Sequence, residues 1–292
     1  MNLPLLTQTI TTGLLLGGLY AVIGIGMSII FGIMGLTNIA HGNLIILGSF
    51  LTLTFTAAFG GNIFVGLLIA VAAMVLIGFL LQSCLVNRVI DKGPEPALLV
   101  TFGLSIIIQN ILQLVYGADT NAIRTALSTV NVVSTKYVSI SGVYLLNFAM
   151  AIILVVALSI IMKKTRLGRA IRASSCNAGT AELMGVNTKL IYAVTMAIAM
   201  VSACLAGLLL GHTFPFYTYS GPQYLIIAFG VVVIGGMGSI AGTLIGGLIL
   251  GLAQLLGGYF IGTGYQILTG YLVMLVLLTL KPSGLLSSKI SK

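Results

Sequence analysis

Polar side chains interrupt a hydrophobic run at residues 37–46, which read TNIAHGNLII. Asn38 and His41 can both donate and accept hydrogen bonds, and three glycines fall within residues 32–42. Unwound backbone at membrane depth is tolerated only where it is buried in protein or faces a water-filled path, and interrupted helices often mark substrate sites in transporters. Asn38 and His41 are therefore candidates for lining a solute path, or alternatively for satisfying backbone groups at the helix break.

A second set of polar side chains shares one face of the segment at residues 97–117. Their spacings of four, four, four and three residues are those of a single helix face, and they are Thr101, Ser105, Gln109, Gln113 and Tyr116. Because such a stripe is costly in lipid, it faces protein or water. Two interpretations stay open: hydrogen bonds to a neighbouring helix or subunit, and a translocation path lined by groups such as Gln109 and Gln113.

The sequence lacks the residue patterns typical of metal sites, phosphate-binding loops, enzymes and ion-coupled carriers. His212 is the only other histidine and the three cysteines are widely spaced, so we expect no metal and no cofactor bound by this chain. The sequence has no G-x-x-x-x-G-K-[ST] phosphate loop and no nucleophile–base set, which argues against an enzyme. A proton- or sodium-coupled carrier often has an intramembrane carboxylate, but all four acidic residues are predicted in loops: Asp91, Glu95, Asp119 and Glu182.

The amino-acid composition indicates whether these segments lie in water or in a lipid bilayer. Of 292 residues, 59% are hydrophobic and only 6% are charged, with a mean hydropathy of +1.19, whereas a soluble domain carries about 25% charged residues. A bilayer permits only helices or closed barrels, and barrel strands alternate apolar and polar residues. The continuous apolar stretches predict an all-α polytopic integral membrane protein, with one membrane-spanning domain over residues 1–292.

Nine apolar segments predict eight or nine transmembrane helices, some of them broken or re-entrant. The segments cover residues 8–31, 43–60, 63–83, 97–117, 142–162, 190–211, 223–236, 240–260 and 264–280.

Basic residues predict how these segments are oriented. In a membrane protein the net charge of +9 concerns topology rather than a nucleic-acid partner, because loops rich in Lys and Arg stay in the cytoplasm. Three clusters are predicted inside: Arg88 and Lys92; Lys163, Lys164, Arg166, Arg169, Arg172 and Lys189; and Lys281, Lys289 and Lys292. The loop 118–141, with Arg124 and Lys136, is then outside, and the number of spans puts the N-terminus outside as well.

A second glycine-rich break lies at residues 235–242, which read GGMGSIAG. Glycines continue beyond it at spacing four, a pattern that favours close helix packing. The stretches after the two breaks, GNLIILGSF (42–50) and GGLILGLAQ (246–254), are loosely alike. An internal repeat, with the two breaks paired across a pseudo-symmetric core, is therefore the alternative interpretation.

The longest polar stretch on the predicted inner side is residues 163–189. Asn177 can cap a short helix that Gly185 ends, and Asn187 can cap the next span. The pattern predicts a short helix outside the bilayer. It either docks a cytoplasmic partner or belongs to a basic loop that only sets topology.

Four stretches resemble the permeases of LIV-type ABC importers, the branched-chain amino acid uptake systems: residues 18–50, 98–110, 165–195 and 232–251. The resemblance covers about residues 10–286, and the NIAHG motif is similar to that of the LivH-type subunit. It implies a bacterial cytoplasmic (inner) membrane location and alternating access. The implied partners are a homologous second permease, two cytoplasmic ATP-binding subunits that use ATP and Mg, an extracytoplasmic substrate-binding protein and membrane lipid.

The same resemblance makes residues 163–189 a coupling loop for the ATPase. Ala178 to Gly185 would form the coupling helix, seated in a groove of the ATP-binding subunit. The residues that the resemblance implies for ATPase coupling are Arg166, Arg169, Arg172, Glu182 and Gly185, the three arginines and Glu182 contacting the ATPase or anionic headgroups.

Two departures from the family pattern affect which solute the chain is expected to carry. Asn43 stands where an acidic residue is common, and Ile39 stands where phenylalanine is common. Because related permeases are associated with urea and short amides, an importer of those solutes is the alternative function. A stand-alone channel or secondary carrier is a further alternative, disfavoured by the docking loop and by the missing intramembrane carboxylates.

Overall fold

The computed structural model describes residues 3–125, 131–134 and 138–286. These residues form eleven helices and one small antiparallel hairpin. The helices are α1 (Leu3–Met34), α2 (His41–Ala58), α3 (Ile63–Cys84), α4 (Pro94–Tyr116), α5 (Gly142–Lys164), α6 (Arg166–Cys176), α7 (Ala178–Leu183), α8 (Thr188–Thr213), α9 (Gly221–Gly235), α10 (Ile240–Phe260) and α11 (Gln266–Leu280), and the strands are β1 (Asn131–Ser134) and β2 (Ser139–Ser141).

The predicted membrane helices are confirmed. Within the described ranges, eight helical segments are long and apolar enough to cross a bilayer. The last of them is α11 together with the turn before it (Thr263–Leu280), and α9 is a shorter apolar helix of 15 residues. Each predicted apolar segment coincides with one of these nine helices to within a few residues, because helices satisfy their own backbone hydrogen bonds in lipid.

The two ends of α1 lie on opposite sides of the helical bundle. Near its start, the Gln8 side chain accepts a hydrogen bond from the Ser139 N–H and donates one to the Ser139 carbonyl, both at 2.7 Å. The start of α1 is therefore on the same side as the loop 118–141, as the number of spans predicts, and we call this side the outer side. The basic residues Lys136, Lys289 and Lys292 lie outside the described residues.

Two helices, α1 and α8, form the buried centre of the bundle. By contrast, few residues of α3, α4, α5 and α11 are buried, and Phe64 on α3 and Leu114 on α4 are 77% and 85% exposed. Large apolar side chains on a helix surface are typical of contact with lipid or with another membrane subunit. The peripheral helices thus surround a core that can hold polar groups away from lipid.

Close glycine packing joins α1 to α10. A methyl group added to Gly247 would lie 2.5 Å from the Gly17 carbonyl oxygen and 2.6 Å from the Ala21 nitrogen. The two backbones therefore touch, as they do in small-residue interfaces of membrane helices. The packing interpretation of the glycine spacing after the second break is confirmed.

The two glycine-rich breaks meet on the inner side. A methyl group added to Gly32, at the end of α1, would lie 2.6 Å from the Cα atom of Gly238, in the turn between α9 and α10. The hairpins around the breaks differ, since α10 folds back on α9 whereas α2 diverges from α1 to pack on α3 and α8. The internal repeat itself stays a prediction.

Three local features differ from the sequence predictions. The outer loop contains the β1–β2 hairpin, whose short polar strands give no distinct pattern. Glu95, predicted in a loop, lies in the first turn of α4, where Pro94 begins the helix and a carboxylate is favourable. The loop 163–189 was predicted to contain one short helix, but α5 extends to Lys164 and α6 is an additional helix.

Candidate functional site

The break after α1 is a tight turn that carries the chain back into the bundle. The Asn38 side-chain oxygen accepts a hydrogen bond from the Ala40 N–H at 3.0 Å, and the Asn38 carbonyl accepts from the His41 N–H at 3.2 Å. Short polar side chains stabilise turns in this way. In this conformation Asn38 is buried and supports the turn, and its amide nitrogen lies 3.9 Å from the Met196 sulfur on α8.

His41 fixes the depth at which α2 begins. Its Nε2 atom lies 3.0 Å from the carbonyl oxygen of Ile23, and the side chain is fully buried. Ile23 precedes the last residue of α1 by eleven positions, which is about 16 Å along a helix axis. The segment is therefore re-entrant, and α2 starts inside the bundle rather than at its inner surface.

The starts of α2 and α9 meet near the middle of the bundle. Asn43, in the first turn of α2, donates to the carbonyl and hydroxyl oxygens of Ser105, at 2.9 and 2.8 Å, and Ser105 is at the midpoint of α4. Gly221, the first residue of α9, packs directly against the Asn43 side chain. We call Asn38, His41, Asn43, Thr101 and Ser105 the mid-membrane polar cluster.

Neither helix start in this cluster is closed by a side-chain cap. The N-cap residues Ala40 of α2 and Ser220 of α9 make no side-chain capping hydrogen bond. The first N–H groups of a helix have no partner within the helix, and they carry partial positive charge. Two such starts at membrane depth are suited to an anionic group such as a carboxylate.

The polar stripe of α4 mostly bonds to neighbouring elements. Thr101 accepts from the Ile39 N–H at 3.3 Å, Gln113 accepts from the Thr218 hydroxyl at 2.6 Å, and the Tyr116 and Thr54 hydroxyls are 2.8 Å apart. Gln109 is half-buried and has no hydrogen-bond partner among the residues that the structure describes. The stripe thus leaves Gln109 free for a ligand or a second subunit.

The cluster is closed in this conformation. The cavity beside Asn38, also lined by Gln82, Thr101 and Met196, has a volume of only about 10 Å³, which is the space of one water molecule. A solute the size of an amino acid can reach Asn38 or His41 only if the surrounding helices move apart.

On the inner side, side-chain caps divide residues 163–189 into two helices. Thr165 accepts from the Gly168 N–H at 3.0 Å to begin α6, and Asn177 accepts from the Thr180 N–H at 3.0 Å to begin α7. Asn187 caps α8 through the Leu190 N–H, also at 3.0 Å. The caps at Asn177 and Asn187 confirm the sequence predictions, although α7 ends at Leu183 rather than at Gly185.

A Schellman motif connects α7 to α8. The Val186 N–H donates to the Ala181 carbonyl at 3.0 Å, and the Gly185 N–H donates to the Glu182 carbonyl at 2.9 Å. Gly185 has φ +83°, the left-handed conformation that this motif requires. The Thr188 hydroxyl donates to the Glu182 carboxylate, so α7 is held to the first residue of α8 by backbone and side-chain bonds.

The implied coupling residues occupy different surroundings. Arg166, Arg169 and Glu182 are exposed on α6 and α7, while the Arg172 guanidinium donates to the Met162 carbonyl at the end of α5. Sequence reasoning missed the two apolar side chains beside them, Leu183 and Met184, which are 89% and 82% exposed. The sequence feature that could have identified them is an apolar pair immediately before the glycine that ends the helix.

A second inner-surface element was also missed. Asn87, in the connection between α3 and α4, donates to the Lys189 carbonyl at 3.0 Å and accepts from the Gln82 side chain at 3.0 Å. An ion pair of 3.6 Å joins Lys189 to Asp91 across the same connection. This connection therefore forms one surface with the α7–α8 junction.

Eight spans, re-entrant helix starts at mid-depth and an exposed inner helix together describe a multi-pass membrane permease. The family model described as "Branched-chain amino acid transport system / permease component" matches residues 9–280. The chain belongs to this family, and the resemblance that its sequence motifs indicate is confirmed.

Individual relatives are similar over most of the chain. The branched-chain amino acid permease LivH of Escherichia coli K12 is 31% identical over 294 residues, covering 96% of this chain and 94% of its own. BraD of Pseudomonas aeruginosa is 31% identical over 292 residues, covering 96% and 95%. The ribose import permease RbsC of Haemophilus influenzae is 30% identical over 270 residues, covering 88% and 79%.

Proposed function

We propose that the chain is the permease subunit of an ABC importer that takes up branched-chain or other small amino acids by alternating access. The LivH and BraD relatives are named for branched-chain amino acid transport and align over nearly the whole chain, and their bacterial origin supports a cytoplasmic (inner) membrane location. One relative is named for ribose import, so similarity alone does not identify the solute. The preference for an amino acid rests on the mid-membrane polar cluster.

The continuity of α8 from the inner surface to the mid-membrane polar cluster carries this proposal. At its inner end, α8 is joined to α7 through Thr188 and Glu182. Further along, Met196 lies beside Asn38, and Gly207 packs against the backbone of Ser49 on α2. A displacement of α7 would therefore move α8 as a unit and shift the start of α2.

In this mechanism the closed cluster opens when α2 and α9 separate. Asn38, His41, Gln109 and Gln113 would then line the substrate path. The uncapped starts of α2 and α9 would hold the carboxylate of an amino acid, because the first-turn N–H groups other than that of His41 carry partial positive charge without a partner in the helix. The apolar side chains around the cluster suit an aliphatic substrate side chain.

The driving force would come from two cytoplasmic ATP-binding subunits, which would bind the ATP and Mg. Leu183 and Met184 project from the end of α7 almost fully exposed, and exposed apolar groups beside charged ones are typical of a protein interface. They would seat in the groove of the ATPase, with Arg166, Arg169 and Glu182 around them and Gly185 setting the turn. Arg172 lies farther back, on the α5 side of α6.

A homologous second permease would complete the membrane part, and an extracytoplasmic binding protein would deliver the solute. Gln223 on α9 is exposed at membrane depth. A polar group of this kind is unfavourable against lipid. The second permease would cover it.

Reconstitution of the complete system tests the proposal. We expect the chain, expressed with its genomic neighbours, to co-purify with a second permease and two ATPases. In proteoliposomes, the binding protein loaded with leucine, isoleucine or valine should stimulate ATP hydrolysis. Stimulation by urea or a short amide instead would identify the alternative importer, and a folded chain that purifies alone would favour a channel or carrier.

Changing Glu182 tests the junction between α7 and α8. Glu182→Lys is expected to lower solute uptake about tenfold while ATP hydrolysis continues, because lysine cannot accept the Thr188 hydrogen bond and one charge-assisted bond contributes about 1.5–3 kcal/mol. Glu182→Gln keeps an acceptor oxygen and should retain most uptake. Equal uptake in both variants would argue against a mechanical role for this bond.

Changing His41 tests the start of α2. His41→Leu should reduce uptake per folded molecule at least fivefold, because leucine fills the space but cannot bond to the Ile23 carbonyl. Loss of a buried hydrogen bond also costs about 1–3 kcal/mol of stability, so uptake is compared per folded molecule. The matched control is Asn147→Leu, which removes a part-buried hydrogen bond to Thr213 at the outer end of α8. If uptake falls only in proportion to the amount of folded protein in both variants, the role of His41 is purely structural.

A further inference from the structure

A separate cavity of about 440 Å³ lies at the inner ends of α1, α5 and α10, beneath α6. It is distinct from the mid-membrane polar cluster and has no part in the proposed transport path. Its lining is largely apolar, with Ile29 and Ile33 from α1 and Ile240 from α10. Two exposed basic side chains, Lys163 at the end of α5 and Arg172 on α6, line its inner rim.

The charge of this cavity is unbalanced. None of its described lining residues is acidic, and the described ion pair Lys189–Asp91 is elsewhere on the inner surface. The Arg172 guanidinium donates to the Met162 carbonyl, which holds it over the cavity but does not neutralise its charge. The rim is therefore suited to an anionic group with one or more oxygen acceptors.

One buried hydroxyl within the cavity also lacks a partner. Ser28 is fully buried, and its Oγ atom has no hydrogen-bond partner within the described part of the chain. Ser28 precedes the end of α1 by six residues, so it lies about 9 Å along the helix axis from the inner end of α1. A buried polar group of this kind normally has a partner in the native protein.

We propose that the cavity binds one anionic phospholipid of the inner leaflet. Lys163 and Arg172 would hold the phosphate, the Ser28 hydroxyl would donate to an ester carbonyl below it, and an acyl chain would lie along the isoleucines. The order from cationic rim to polar hydroxyl to apolar wall matches the order of groups along a phospholipid. A free inorganic anion would use the rim but neither of the deeper features.

Competitive lipid binding to the full chain, purified together with any subunits that accompany it, tests this site. Native mass spectrometry in mixed micelles should show retention of phosphatidylglycerol over phosphatidylcholine. The double variant Lys163→Gln/Arg172→Gln should lower the apparent affinity for phosphatidylglycerol about tenfold, because each basic group near anionic headgroups contributes favourably. The matched control is Lys164→Gln/Arg169→Gln, which removes two neighbouring charges that do not line the cavity, and its affinity should stay within twofold of the parent.

A second variant allows the site to be tested even if the double variant does not fold. Ser175→Glu leaves both basic side chains in place but adds a negative charge to the lining, and it should also weaken phosphatidylglycerol binding. Equal losses in the double variant and its control would overturn the proposal, because general attraction to basic residues would then suffice. Displacement of phosphatidylglycerol by millimolar inorganic phosphate, or equal retention of both lipids, would overturn it as well.

Discussion

Gly247→Leu is expected to prevent recovery of folded protein. Even a methyl group at this position would lie 2.5 Å from the Gly17 carbonyl oxygen and 2.6 Å from the Ala21 nitrogen. These are backbone atoms, so no side-chain rotation relieves the clash and α10 must move away from α1. Overpacking commonly costs about 1–3 kcal/mol, and separating the two helices adds the loss of their packing.

The matched control for Gly247→Leu is Gly103→Leu on the peripheral helix α4. A methyl group at Gly103 meets no atom within 4 Å among the described residues, so this variant should fold with a stability within about 1 kcal/mol of the parent. Fluorescence-detected size exclusion and thermal unfolding in detergent measure both. Normal yield and melting temperature for Gly247→Leu would show that α1 and α10 do not pack this closely.

Gly185→Val is expected to leave the protein folded but to lower solute uptake about tenfold. Gly185 has φ +83°, and a non-glycine residue in the left-handed region costs about 1–2 kcal/mol. No described atom lies within 4 Å of an added methyl group, so the penalty is conformational and not steric. The strained turn would weaken the Schellman motif that joins α7 to α8.

Gly185→Asn is the control for that experiment, because asparagine has a similar volume to valine but tolerates the left-handed conformation. Uptake and ATP hydrolysis by the reconstituted complex should be close to the parent for asparagine, whereas valine should hydrolyse ATP with little transport. If both variants lose uptake equally, side-chain volume at the ATPase contact decides the effect. If neither does, the α7–α8 junction is not a coupling element.

The local structure around the inner loop could be predicted because its signals are local. Asn177 and Asn187 precede helical segments and cap them within three residues, and a glycine after a short helix indicates a left-handed end. The additional helix α6 was missed, although Thr165 caps it in the same manner. Its basic, polar composition was interpreted as an inside loop, and charge gives no information about helicity there.

The polar stripe of α4 shows the limit of periodicity. Its spacing predicts that the side chains share a face, and the structure agrees, but it does not specify their partners. Thr101 and Ser105 bond to the turn and start of α2, whereas Gln113 and Tyr116 bond to other elements near the outer end. Gln109 has no such partner within the described ranges, and no feature of the sequence distinguishes it from Gln113.

The sequence by itself determined that the chain is a helical membrane protein and where its spans lie, whereas the side that each end faces stays a prediction. The spans depend on composition and hydrophobic length, both of which act within one segment at a time. Only the tertiary structure decided that the starts of α2 and α9 meet and that Gly32 contacts Gly238. Such contacts join residues about 200 positions apart. They depend on how closely two helices can pack, and no local sequence pattern specifies that packing.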